Sequence, residues 1–154
     1  MILGYRLLQW IWGLPQTLVG SIIFLLNVNC SHYSYHGAVV TIWKSKSSLS
    51  LGMFVFISDD PFHYYQSYKD KYKEETFSTM LLVHEYGHTI QSLIFGPVYL
   101  LSVGVPSIVW SFFPLFVKKR ELDNISYFSV YPERWANHLG EKVTGEPSIG
   151  EPVS

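Results

Sequence analysis

Charge is scarce in this chain. Asp, Glu, Lys and Arg make up 15% of its 154 residues, against about 25% in an ordinary soluble domain. What charge there is nearly cancels: 11 basic against 12 acidic residues, a formal net charge of -1. That leaves no basic field to hold nucleic acid. A single cysteine, Cys30, excludes an intrachain disulfide framework and any cysteine-based zinc cluster. There is no internal repeat and no low-complexity tract, and the length fits one domain, residues 1–154. Hydrocarbon takes the place of charge. The chain is 48% hydrophobic and 17% aromatic, with a mean hydropathy of +0.16. That balance points to a membrane-associated protein.

Two stretches carry most of the apolar character. Residues 7–28 hold no charge, are long enough for the roughly 20 residues of a bilayer crossing, and include Trp10 and Trp12, which suit an interfacial belt. A cleaved signal peptide is the alternative. It is disfavoured because Arg6 is the lone early basic residue and no small-residue cleavage site follows near Asn27 and Cys30. A retained membrane helix is the expectation. Residues 93–117 are also uncharged. As helix, Leu93 to Val103 would run about 16 Å and Val105 to Val117 about 20 Å, each short of the roughly 30 Å of hydrocarbon. The spacing predicts a hairpin bent near Gly104-Val105-Pro106, with Lys118-Lys119-Arg120 marking its exit at the lipid headgroups.

Between them lies His84-Glu85-Tyr86-Gly87-His88. Residues four apart on a helix share a face one turn apart, so His84 and His88 can offer two imidazoles to one metal ion. Glu85 stands one step round, able to border the metal as a base without ligating it. Glu74 and Glu75 suit a first helical turn, and Gly96-Pro97 a stop. A helix over 73–95 follows. Its neighbours are almost wholly apolar, so it is buried or in lipid. Two histidines and a glutamate there need a reason. Hydrogen-bonded core histidines are the plainer reading; the full constellation favours metal.

A catalytic zinc with two histidines needs a third protein ligand. The only persuasive candidate downstream is Glu133. Pro132 suits the first position of a helix, here 132–141. Asn137 shares a face with Glu133 and can hydrogen-bond a ligand histidine, fixing its tautomer. Reaching the histidines from Glu133 requires the apolar span between them to fold back. Tyr127, Tyr131 and His138 are candidate donors to an oxyanion.

The remaining segments say less. Val39–Trp43 and Leu49–Ile57, around a polar turn at 44–48, read as a hairpin within 37–58. Its edge either aligns a peptide or simply covers the site. Residues 61–75 are a tyrosine-rich loop. His32 and His36 are four apart but lack a carboxylate partner and read as an incidental pair. The stretch from Thr144 to Ser154 reads as a surface-hugging or frayed end.

Together these give an α+β fold: a mainly helical, membrane-associated domain with a small β-hairpin or sheet beside the H-E-x-x-H helix. His84-Glu85-x-x-His88 followed by Glu133-x-x-Ala136-Asn137 resembles the gluzincin zinc metallopeptidases, especially their membrane-embedded members of the prenyl-protein and heat-shock types. The chain is also similar to small uncharacterised bacterial membrane proteins with a His-Glu-Tyr-Gly-His-Thr-Ile-Gln-Ser segment. The resemblance implies Zn2+ held by His84, His88 and Glu133, with Glu85 as catalytic base and Asn137 behind the ligands. It implies peptide-bond hydrolysis of a peptide or protein substrate, membrane-proximal ones included, at a bacterial cytoplasmic membrane. Two alternatives stand beside it. One is a non-catalytic membrane protein with a structural metal site. The other is a di-iron carboxylate protein, disfavoured because no second E-x-x-H occurs.

Overall fold

The computed structural model describes residues 2–150. Among them the fold is α+β, mainly helical, with one small mixed sheet. Helix α1 (Ile2–Ile11) and helix α2 (Leu14–Leu26) lead into strands β1 (Ser31–Tyr35), β2 (Ala38–Trp43), β3 (Leu49–Leu51) and β4 (Phe54–Ser58). Helix α3 (Glu74–Phe95) follows, then α4 (Val105–Phe112), α5 (Pro114–Asp123) and α6 (Tyr131–Thr144).

The single hairpin expected over 37–58 is replaced by two. The sheet order is β1-β2-β4-β3. β1 pairs antiparallel with β2 through the turn at His36-Gly37. Gly52, at a positive φ of 62° that disfavours a side chain, folds the run from Leu49 to Ile57 back on itself as β3 and β4. β2 then pairs with β4 in parallel, Val40 opposite Val55 and Ile42 opposite Ile57. The fully buried Val40, Val55 and Ile57 pack on Leu82 and Tyr86 of α3. Phe54 and Phe56 lie in a separate cluster with Ile23 and Phe24 of α2. The period-two alternation thus feeds two cores, one per face.

The expected membrane helix over 7–28 is broken. Chain direction turns by 103° between α1 and α2, where Trp12 and Gly13 separate them and Pro15 begins a new first turn. No single helix among the described residues is long and apolar enough to cross a membrane. Two bent pairs meet that length and composition together: α1 with α2, and Glu74–Val98 with Leu100–Phe112, the latter bent by 120°.

The apolar span after the motif does fold back, but not at Gly104-Val105-Pro106. Gly104 has helical angles, φ -59° and ψ -53°, and Pro106 follows it inside a helical run that continues without reversing. A wide π-type turn over Leu100–Gly104 runs straight into α4. The chain bends by 120° across Gly96-Pro97 to Tyr99, and helix breaks again at Phe113, whose extended backbone precedes Pro114. Of the expected surface-hugging or frayed end, residues 148–150 pack against the fold. Ile149 is fully buried with Phe77, Leu81 and Phe128. Residues 151–154 of that expected tail lie outside the described residues.

Candidate metal centre

Glycines let the two motif helices touch. A Cβ on Gly87 of α3 would run into the Ala136 carbonyl of α6. A Cβ on Gly140 of α6 would likewise meet the Val83 carbonyl of α3. With hydrogen at both positions and a methyl at Ala136, the backbones come into direct contact. Glu133 then stands one turn before Asn137 on the face of α6 that looks at His84 and His88.

The convergence is close. Glu133 Oε2 lies 3.1 Å from His84 Nε2 and 3.5 Å from His88 Nε2. All three groups are buried, and their ligand atoms lie within 4.8 Å of one another. Tetrahedral zinc bonds of about 2.0–2.1 Å place neighbouring ligand atoms about 3.3 Å apart. The separations of 3.1 and 3.5 Å bracket that value. The residues present therefore fit a metal ion.

Their far sides are tied back. His84 Nδ1 lies 2.6 Å from Asn137 Oδ1, and His88 Nδ1 lies 2.7 Å from Gln91 Oε1. An amide oxygen only accepts, so each Nδ1 carries a hydrogen, and Nε2 is the nitrogen left to ligate a metal once it gives up any proton. The amides are anchored in turn. Asn137 Nδ2 donates to the Ile149 carbonyl at 2.7 Å, and Gln91 Nε2 to the Pro132 carbonyl at 2.8 Å. Ser107 of α4 donates to Glu133 Oε1, which leaves Oε2 for the imidazoles. Such outer contacts fix ligand tautomer and orientation. Electrostatics follow the geometry. Burial alone would raise the Glu133 carboxyl, but the imidazoles outweigh it and hold the group well below the usual carboxylate range. Burial pulls His88 down, and Glu133 more than reverses that, to about 9.

Glu85 is buried and lines a cleft of about 740 Å³ shared with His84, His88 and Glu133. Burial raises its carboxyl above the ordinary value despite the two imidazoles beside it. The cleft is bounded by β3, by α4, and by Tyr65, Tyr99 and Tyr127. Of the three oxyanion-donor candidates, only Tyr127 lines it. Tyr131 and His138 line a separate depression with Trp135. Tyr65 and Tyr99 were not singled out in the sequence because 11 tyrosines dilute the signal from any one.

His32 and His36 stay apart from this centre. His32 Nδ1 pairs with Thr41 Oγ1 at 2.9 Å, and the His36 ring packs on Tyr35 and Tyr86. Among the described residues, His84, His88 and Glu133 form the group able to hold a metal. Comparison with models of protein families, with curated proteins and with solved structures finds no match for this chain. The site is thus defined by its own chemistry: a buried two-histidine, one-carboxylate group that could hold a metal ion.

Proposed function

We propose that this chain is a membrane-associated zinc metallopeptidase that cuts peptide bonds with Glu85 as its base. One observation carries the reading. Two Nε2 atoms and one carboxylate oxygen converge within hydrogen-bonding distances, in a cleft that also contains Glu85. Three protein ligands suit a catalytic zinc, which keeps a fourth position for water or substrate; structural sites close with four. That difference favours an enzyme over a purely structural metal site.

Zinc, when bound, would lower the pKa of a coordinated water toward neutrality and polarise the substrate carbonyl. The chain supplies the rest. Glu85 accepts the proton from the attacking water and returns it to the leaving amine, a role suited to a carboxylate whose proton affinity is raised by burial. Asn137 and Gln91 hold the two imidazoles in the ligating tautomer. Tyr127, tied to Ser111 Oγ at 2.9 Å, and Tyr65 stand in the cleft as donors to the oxyanion. β3 lies at the sheet edge and lines the cleft through Leu49, Ser50 and Leu51. An extended peptide can add to such an edge by backbone pairing.

Membrane association is supported by apolar side chains left in the open. On α1 and α2, Ile11, Leu18 and Leu25 are at least half exposed, as are Leu101, Ile108 and Leu115 around α4 and α5. An exposed apolar surface of this kind suits lipid or a partner. The test is the pair of wild type and Glu85→Gln, purified with zinc and offered unstructured peptides. The expected result is one zinc per chain in both, with cleavage lost by a factor of about a hundred or more only in the variant. Equal cleavage by both proteins would remove Glu85 from the chemistry.

A further inference from the structure

We propose that Arg120 receives a carboxylate of the substrate within the cleft, and so selects peptides bearing an anionic group a short distance from the bond that is cut. This rests on the peptidase reading above. The sequence places Arg120 with Lys118 and Lys119 as a headgroup-facing basic run. Lys118 and Lys119 are exposed, but Arg120 is half-buried and turns inward to line the cleft. Its guanidinium lies 5.2 Å from the ring centres of both Trp110 and Tyr127. Nη2 donates to the Ser111 carbonyl at 3.4 Å. Nη1 is buried and has no hydrogen-bond partner. No salt bridge joins it to a carboxylate among the described residues.

A guanidinium cannot shed its charge, and it presents five N–H donors in a fixed fork. The aromatic faces offset part of its desolvation but leave the Nη1 hydrogens unused. A buried charged donor without an acceptor is costly. The group whose shape matches the fork is a carboxylate, bound through two parallel hydrogen bonds. Position supports the same conclusion. Ser107 touches Glu133, Ser111 Oγ donates to the Ser107 carbonyl at 2.8 Å, and the Ser111 carbonyl accepts from Arg120. Ser107 and Ser111 are about 6 Å apart along α4, which is about two residues of extended peptide. A peptide with its reacting carbonyl at the metal centre therefore brings a nearby carboxylate to Arg120. That carboxylate is either the chain terminus or an acidic side chain.

Three fluorescent peptides of one otherwise neutral sequence separate these sources: a free C-terminal acid, the C-terminal amide, and the amide with one Glu near its end. Binding is read by anisotropy on the full-length zinc-loaded chain carrying Glu85→Gln, which stops turnover. At least one anionic peptide should bind about tenfold more tightly than the neutral amide, as one charged hydrogen-bonded contact provides. Whichever gains identifies the source. Arg120→Gln should bring that peptide down to the level of the amide without changing the amide. Arg120→Lys, which keeps the charge but loses the fork, should fall between and serves if the glutamine variant does not fold. Equal binding of all three peptides, binding of none, or a preference that survives in both variants would overturn the proposal. Binding and cleavage are read separately. A chain that prefers the anionic peptide but cuts no peptide defeats the peptidase reading and keeps Arg120's role. A chain that cuts all three peptides alike does the opposite.

Discussion

Helix α3 carries two buried polar clusters, and only one of them looks like a site. Toward its C-terminal end, Gln9 Nε2 donates to the Thr89 carbonyl at 2.9 Å, and Ser92 Oγ donates to Gln9 Oε1 at 2.9 Å. Gln16 Nε2 reaches Ser92 Oγ and the Gly96 carbonyl at 2.8 and 3.0 Å. Every side chain here is neutral, and the bonds run outward to different partners. This network fastens the α1–α2 corner to α3 where Trp12 crosses Gly96. One turn earlier, His84 and His88 also have their outer nitrogens satisfied, but their inner nitrogens aim at one carboxylate oxygen beside an open cleft. Burial of polar groups is common to both clusters. Convergence of ligand atoms on one point is what separates a candidate metal site from a structural clasp.

The largest effect should come from the contact that creates the convergence. Gly87→Val puts a side chain where the Ala136 carbonyl lies. The expected outcome is a loss of about 3 kcal/mol or more of stability, as severe overpacking gives, together with loss of metal, read by thermal unfolding and by zinc content. A variant that stays stable and keeps its metal would show that α3 and α6 need not touch. A smaller effect should follow from Asn137→Ala, which frees His84 Nδ1. Zinc affinity should fall about 10- to 100-fold, measured by competition with a chelator, while the protein still folds. The smallest should come from the clasp. Gln16→Ala should cost about 1–3 kcal/mol in unfolding, the penalty for stranding buried partners, with zinc affinity unchanged. A drop in affinity there would merge the two clusters into one network and erase the contrast.

Much of this centre was legible in the sequence because it is local. The i, i+4 spacing of His84 and His88 fixes their shared face once a helix forms, and that helix begins within one residue of where Glu74 and Glu75 suggest. Glu133 and Asn137 were legible for the same reason, as a second pair four apart behind a helix-starting Pro132. The supports were not. Ser107 and Gln91 are ordinary polar residues whose roles exist only once α4 and α6 are packed. Arg120 sits in a basic run that resembles an exit from lipid, and only its contacts with Trp110 and Tyr127 turn it inward. A small sheet was legible, but its strand pairing was not, because one residue, Gly52, breaks an otherwise continuous strand pattern. The parallel pairing of β2 with β4 is a tertiary choice that alternation does not encode. The reversal of the apolar span was expected at Gly104-Pro106 because glycine and proline punctuate chains. The bend falls instead at another such pair, Gly96-Pro97, while Pro106 lies inside a helical run continuous with the π-type turn before it.

The central claim is that His84, His88 and Glu133 hold one metal ion between them. Zinc titration of the full-length protein, beside the His84→Ala/Glu133→Ala double variant, tests it most directly. The account predicts one tightly bound ion per wild-type chain and an affinity lower by about a thousandfold or more in the double variant. Equal, stoichiometric zinc in both proteins would contradict it.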